Sequence, residues 1–358
     1  MPKADASTGR TWSFIDSWVG RAAAITGLVA TLAGGITWWA TRDREHAERR
    51  AQLVLAQSQA AQGDYAVSLD TYGDLLRTDP LDRSAQEGQL NTAMLWTENF
   101  SVLVPEGGKA SDVAGPQLDR ILTTLESGLA RTEGPQKADI QAHLGWARWL
   151  NQHIAAREFD SAAETNFRAA LVSDPQNVYA HAMLGNWLLQ TGGDFGEAVQ
   201  HFTAAVATGK ARPFVRRLQI GGLLSHDEDA SRPELFRVAN QMRSSSEPLD
   251  SDSRRRIVDF CCNPTLNSHT VIAASLSAVD PDNAWQTYVW LDEAQGGGSD
   301  AALQTLTRSF IQANLLEIGG KREESLASYR QLRAQLAQQP GSLRDAVDAA
   351  VARLQHPS

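Results

Sequence analysis

The stretch from Val178 to Lys210, VYAHAMLGNWLLQTGGDFGEAVQHFTAAVATGK, constrains the fold of this chain more than any other. It reads as two amphipathic helices joined by Gly192-Gly193-Asp194. Leu184, Gly185 and Leu188 lie along one face of the first helix, and Ala198, Phe202 and Ala205 recur at i, i+4 and i+7 along the second. Phe202 is then placed to fill the hollow left by Gly185 and Ala198. A helix pair of this kind cannot bury its apolar face alone, so it must stack against further pairs.

Further pairs are present. In Arg49 to Asp82, Leu53, Leu55 and Ala56 give one helical face, and Gly63-Asp64-Tyr65 makes the turn. Tyr65, Leu69, Tyr72 and Leu76 carry the second face, and Asp79-Pro80 stops the helix. Both stretches resemble tetratricopeptide repeats, helix-turn-helix units of about 34 residues with small and large residues at fixed positions. Leu184-Gly185, Asp194-Phe195, Ala198, Phe202 and Ala205 match that pattern with one extra residue in the turn. Another copy precedes it: Leu144-Gly145 opens a helix, and Ala163, Phe167, Ala170 and Asp174-Pro175 fit the second helix and its stop, with about six extra residues around Gln152 to Glu158. A last copy spans Leu303 to Leu336, with a Gly319-Gly320 turn and Ser325, Tyr329 and Leu332 at the expected spacing.

The intervening regions follow by periodicity. Ser84 to Phe100 and Gln117 to Arg131 form a pair split by the loop SVLVPEGGKASDVAGP. Degenerate helices are expected near Glu234–Ser244, Arg254–Cys262, Ser268–Ala278 and Asn283–Ala294, before the loop GGGSD. Ser342 to Leu354, polar on one side, suits the solvent-facing cap that an array requires. The expected organisation is a flexible tail over 1–15, a transmembrane helix over 16–41, helix pairs over 42–210, a degenerate region over 211–298, and a final pair with its cap over 299–358.

Ala22 to Ala40 runs 19 residues without a charge. At roughly 1.5 Å per residue this helix would cross the hydrocarbon layer of a bilayer. Arg21 and Arg42 bracket it, and Trp38 and Trp39 stand at one end, as an interfacial aromatic belt would. A single-pass anchor in an inner (plasma) membrane is expected. The bulky tryptophans stand where a signal-peptide cleavage site would need small residues. Arg42, Arg44, Arg49 and Arg50 slightly outweigh Lys3, Arg10 and Arg21, which leans toward a cytoplasmic body, with a periplasmic body as the alternative.

Composition narrows the function. With 42% hydrophobic and 21% charged residues the chain is of folded type, and its net charge of −9 disfavours nucleic acid as a partner. Its two cysteines, Cys261 and Cys262, are adjacent, supply no disulfide framework and read as buried small apolar residues. No phosphate-binding loop, GxSxG elbow or HExxH motif occurs, so neither an enzyme nor a cofactor is expected. His226, followed by Asp227, Glu228 and Asp229, reads as the acidic approach to a helix start at Ser231-Arg232-Pro233, and Asp280 and Asp282 beside Pro281 read likewise. Two basic clusters stand out, Arg212, Arg216 and Arg217, then Arg254, Arg255 and Arg256. Meeting on one side, they would suit an acidic peptide or a phospholipid head group.

The resemblance implies an all-α, right-handed superhelical array whose first helices line a concave groove. Trp146, Trp149, Tyr179, Asn186, Gln190 and Asn314 would face that groove. Asn186 and Asn314 share the repeat position that contacts an extended peptide backbone in the family, and an amide there both donates and accepts. Ala182 stands where the family's chaperone-tail clamp has a lysine, so chaperone C-termini are not implied. The alternative for the two tryptophans is a place in the core. The implied function is a membrane-anchored scaffold for a protein or extended peptide. Its rivals are a periplasmic accessory of secretion or envelope assembly, and a sensory module whose anchor forms a homo-oligomer through Gly34-Gly35.

Overall fold

The computed structural model describes residues 42–155, 161–226, 229–293, 301–337 and 341–356, and among them there is helix but no strand. The expected tail and membrane span, and the loop GGGSD, lie outside the described residues. Among the described residues no helix is long and apolar enough to cross a membrane. The chain divides into two compact units between Arg131 and Thr132.

The first unit holds α1 (42–61), α2 (Tyr65–Thr78), α3 (Arg83–Glu98) and α4 (Ala110–Leu129). Ala56 and Ala60 are buried on α1 and Leu53 is half-buried on the same side, whereas Leu55 is 52% exposed. The expected face therefore shifts, because 53, 56 and 60 share one side of a helix and 55 lies nearly opposite 53. Leu69, Tyr72 and Leu75 are buried on α2. Arg49 on α1 pairs with Asp82 and, at 3.2 Å, with Asp79, bracketing the bend around Pro80. Asp82 also accepts from the Ala85 N–H at 3.2 Å, capping α3. Helix α4 starts seven residues earlier than the sequence suggests, with Pro116 inside it. One missing N–H near a helix start is offset by the fully buried stripe of Ala114, Leu118, Ile121 and Leu125.

The second unit runs through α5 (Gly134–Ala155), α6 (Ala162–Ser173), α7 (Val178–Thr191), α8 (Phe195–Ala207) and α9 (Arg212–Ser225). It continues with α10 (Ser231–Ser244), α11 (Ser251–Cys261), α12 (His269–Leu276) and α13 (Pro281–Asp292). It ends with α14 (Ala301–Ile318), α15 (Arg322–Gln335) and α16 (Ser342–Gln355). Three tight pairs pack within it, α5 on α6, α7 on α8, and α14 on α15. In the α7–α8 turn Gly192 takes φ 70°, and Asp194 caps α8 through the Glu197 N–H at 2.7 Å. A Cβ on Gly185 would lie 3.1 Å from both the Ala198 carbonyl oxygen and the Phe202 ring. On Gly145 it would lie 2.7 Å from Phe167 and 2.9 Å from the Ala163 carbonyl oxygen. In both pairs the aromatic ring occupies the space a side chain would take.

The fading repeat signature after α9 has a structural counterpart. Helix α10 packs on α9, α11, α12 and α13 rather than on one partner. Arginine ties join these helices beside the buried Phe236 and Tyr288. Arg243 donates to Thr287 Oγ1 at 3.2 Å and Asn283 Oδ1 at 2.7 Å, while Arg254 donates to the Trp290 carbonyl at 3.1 Å and lies over its ring. Helix α16 packs on α15 and buries Leu343, Val347, Ala350, Val351 and Leu354.

Candidate peptide interface

Of the residues expected to face a groove, Trp146 and Trp149 sit on α5, and Tyr179, Asn186 and Gln190 on the neighbouring α7. Asn314 lies apart on α14. Both tryptophans are buried in the core. Tyr179 is half-buried between His143 of α5, at 4.5 Å between ring centroids, and Phe214 of α9, at 5.8 Å. These contacts bind three successive first helices edge to edge. Asn186 is buried and donates through Nδ2 to the Leu218 carbonyl of α9 at 2.8 Å. Asn314 is fully buried and donates to the Phe310 carbonyl one turn back at 3.0 Å. The two amides thus act within the helix packing, and Gln190 is half-buried.

A cleft the sequence did not reveal lies between α13, α14 and α15. It encloses about 750 Å³. Its apolar lining is Trp285, Leu315, Leu316 and Leu332, and its polar lining includes Gln312, Gln331 and Gln335, with Asp282 and Lys321 also present. Helix α13 is fixed there by Asp280, which accepts from the Asn283 N–H at 3.0 Å, and by Pro281 in its first turn. Trp285 stacks on Tyr288 at 6.1 Å between centroids and stays half-buried. On α15, Ser325, Tyr329 and Leu332 turn inward, so Ser328, Gln331 and Gln335 at i, i+3 and i+7 share another side. Each glutamine amide offers two donors and an acceptor, which suits the alternating N–H and C=O groups of an extended backbone. The one sequence signal was that Ser–Gln–Gln stripe, which reads as an ordinary solvated face.

The other polar clusters have structural partners. His226 is buried, bonds Ser231 Oγ at 2.8 Å and stacks on Phe195. Asp227 and Glu228 lie outside the described residues. Cys261 and Cys262 are free thiols, fully buried, and burial pushes Cys261 up to about 12 and Cys262 well above its ordinary value. Such thiols are poor nucleophiles. Asp280 is a helix cap, as expected. Among the described residues no group of three or more His, Cys, Asp or Glu side chains could hold a metal ion.

The described residues thus form helix pairs, with a cleft between α13, α14 and α15 that combines an apolar wall with glutamine amides. Among solved structures it is similar to a tetratricopeptide repeat protein from Parabacteroides merdae ATCC 43184, at 10% identity and a TM-score of 0.39, covering 86% of this chain and 99% of that one. It is also similar to the C-terminal part of a TPR repeat-containing protein from Cytophaga hutchinsonii, at 14% identity and a TM-score of 0.37, covering 83% of this chain and 98% of that one. No family model and no curated protein matches the chain.

Proposed function

We propose that this protein is a tetratricopeptide-like interaction scaffold that binds an extended segment of a partner protein. The observation that carries the reading is the cleft of about 750 Å³ between α13, α14 and α15, with Trp285 and leucines on its apolar side and glutamine amides beside them. A groove built on helices is pre-organised, so docking an extended peptide orders little of the receptor. The finer architecture proposed for the second unit is a right-handed superhelix of pairs, supported by the side-by-side packing of α5, α7 and α9.

The test is selection of a random 12-residue peptide library on the full chain. Enriched peptides are expected to bind at least tenfold more weakly to Trp285→Ala and Gln331→Ala variants. Enrichment of nothing, or of peptides indifferent to both changes, would remove the reading.

Membrane anchoring through 22–40 is part of the proposal. Its support is the charge-free run itself with its flanking arginines and tryptophans. Protease treatment of spheroplasts, with and without detergent, tests it. Protection until lysis fits the favoured cytoplasmic body, digestion of intact spheroplasts fits the periplasmic alternative, and recovery of the full chain in the soluble fraction contradicts an anchor.

A further inference from the structure

The first arginine cluster meets one member of the second, while Arg254 is tied to Trp290 and Arg255 to Asp252. Arg212, Arg216 and Arg217 from α9 and Arg256 from α11 line a cleft of about 370 Å³. Its apolar lining includes Ile220, Leu224, Met242 and Leu249. Arg217 lies over the Phe214 ring at 5.5 Å, and the two carboxylates of the lining, Glu247 and Asp250, are both committed. Glu247 accepts from Arg212 at 3.0 Å and Arg216 at 2.9 Å, and the Arg216 bond foremost holds its carboxyl below the usual range. Asp250 caps α11, accepting from the Ser253 N–H at 2.8 Å and its hydroxyl at 2.7 Å. Arg256 is exposed and forms no ion pair among the described residues. Arg212, Arg216 and Arg256 against Glu247 and Asp250 therefore leave positive charge beside an apolar wall.

Gly221 gives a second, independent indication. It sits inside α9 and lines the cleft, although glycine weakens a helix interior. Packing accounts for its neighbour: a Cβ on Gly222 would lie 3.0 Å from both Asn186 Nδ2 and Leu189 Cδ1. A Cβ on Gly221 would meet nothing within 4 Å. Its absence serves no helix contact and leaves room in the cleft.

We infer that this cleft binds an anionic amphiphile, with a phosphate or carboxylate head among the arginines and an apolar tail along Ile220, Leu224, Met242 and Leu249. Guanidinium groups match both heads through paired N–H donors, and the cavity is of small-ligand size. The site is separate from the peptide cleft and does not depend on it.

The test is calorimetric titration of the full chain with dodecyl phosphate, dodecanoate and neutral dodecyl maltoside, each below its critical micelle concentration. One saturable site for at least one anionic probe is expected, and the preferred head identifies a phosphate or a carboxylate as the natural group. Affinity should fall at least tenfold in the Arg217→Ala/Arg256→Ala variant. It should fall similarly in Gly221→Leu, which fills the cleft while strengthening the helix. If Gly221→Leu does not fold, the double arginine variant decides. Absence of binding by both anions, equal binding of the neutral probe, or unchanged affinity in the double arginine variant would overturn the inference.

Discussion

Ser325 Oγ donates to the carbonyl oxygen of Ala313 at 2.8 Å, across the α14–α15 pair. Ser68 does the same to Ala56 at 2.8 Å across α1–α2. In each case the serine follows its partner by twelve residues and an aromatic residue, Tyr329 or Tyr72, follows four later. The other two recognisable pairs close differently. Glycine replaces the alanine and alanine the serine, as Gly145 with Ala163 and Gly185 with Ala198, while Phe167 and Phe202 keep the aromatic position. The same crossing is thus held either by a buried hydroxyl tie or by closer backbone approach.

Removing the tie should therefore weaken its pair. Ser325→Ala and Ser68→Ala are each expected to cost about 1 kcal/mol, the usual worth of a buried neutral hydrogen bond. Urea denaturation measures this, and unchanged midpoints in both variants would mean that the hydroxyls contribute nothing.

The glycine pairs make the opposite demand. Gly145→Ala and Gly185→Ala should each cost about 1–3 kcal/mol, because the new Cβ meets backbone and an aromatic ring. Gly73→Ala, inside α2 with nothing within 4 Å of its Cβ, should instead stabilise by up to about 1 kcal/mol. Thermal melts of the three variants distinguish the cases. Equal shifts would contradict the close-approach account.

The helix pairs were legible because their signals are local: apolar spacing, Gly-Asp turns and Asp-Pro stops all lie within a single pair. Leu55 is apolar but stands off the side of α1 that carries Leu53, Ala56 and Ala60, so its residue type alone does not place it. Pro116 is a local signal for a helix boundary, yet α4 runs through it because the buried stripe around it outweighs one lost hydrogen bond. The role of Asn186 depends on α9, and the peptide cleft depends on how α13 meets α14 and α15. Neither is encoded in a local pattern, and the polar stripe of Ser328, Gln331 and Gln335 looks the same whether it faces water or a ligand.

Asn186→Ala should destabilise the second unit by about 1 kcal/mol or more, since it deletes a buried bond between α7 and α9. Denaturant midpoints check this. A fully preserved midpoint, together with weaker peptide binding, would restore Asn186 to a binding role.

Acid should loosen the contact that joins α12, α14 and α16. Arg353 donates to His269 Nε2 at 2.8 Å and to Glu317 at 2.7 Å. It can donate only to neutral imidazole. Burial first, then the Arg353 charge, hold His269 below its ordinary 6.5, outweighing the opposite pull of Glu317, whose Oε2 lies 3.1 Å from the same Nε2. As pH falls through about 6.5 the unfolded chain takes up this proton while the folded chain resists. The stability present above that pH is lost as pH falls toward the folded value. His201 is depressed in the same direction by burial and then by His181, 2.8 Å away between ring nitrogens. Urea midpoints should drop from pH 7.5 to pH 5, and the drop should shrink in His269→Gln/His201→Gln. An equal drop in that variant would exclude both histidines as its source.

The most direct test of the scaffold account is amide hydrogen exchange on the full chain with and without a peptide selected from the library. The account predicts slower exchange in 281–292, 309–316 and 328–335, and no change over 65–129. Slowing confined to α5 and α7, with the α13–α15 segments unaffected, would contradict it.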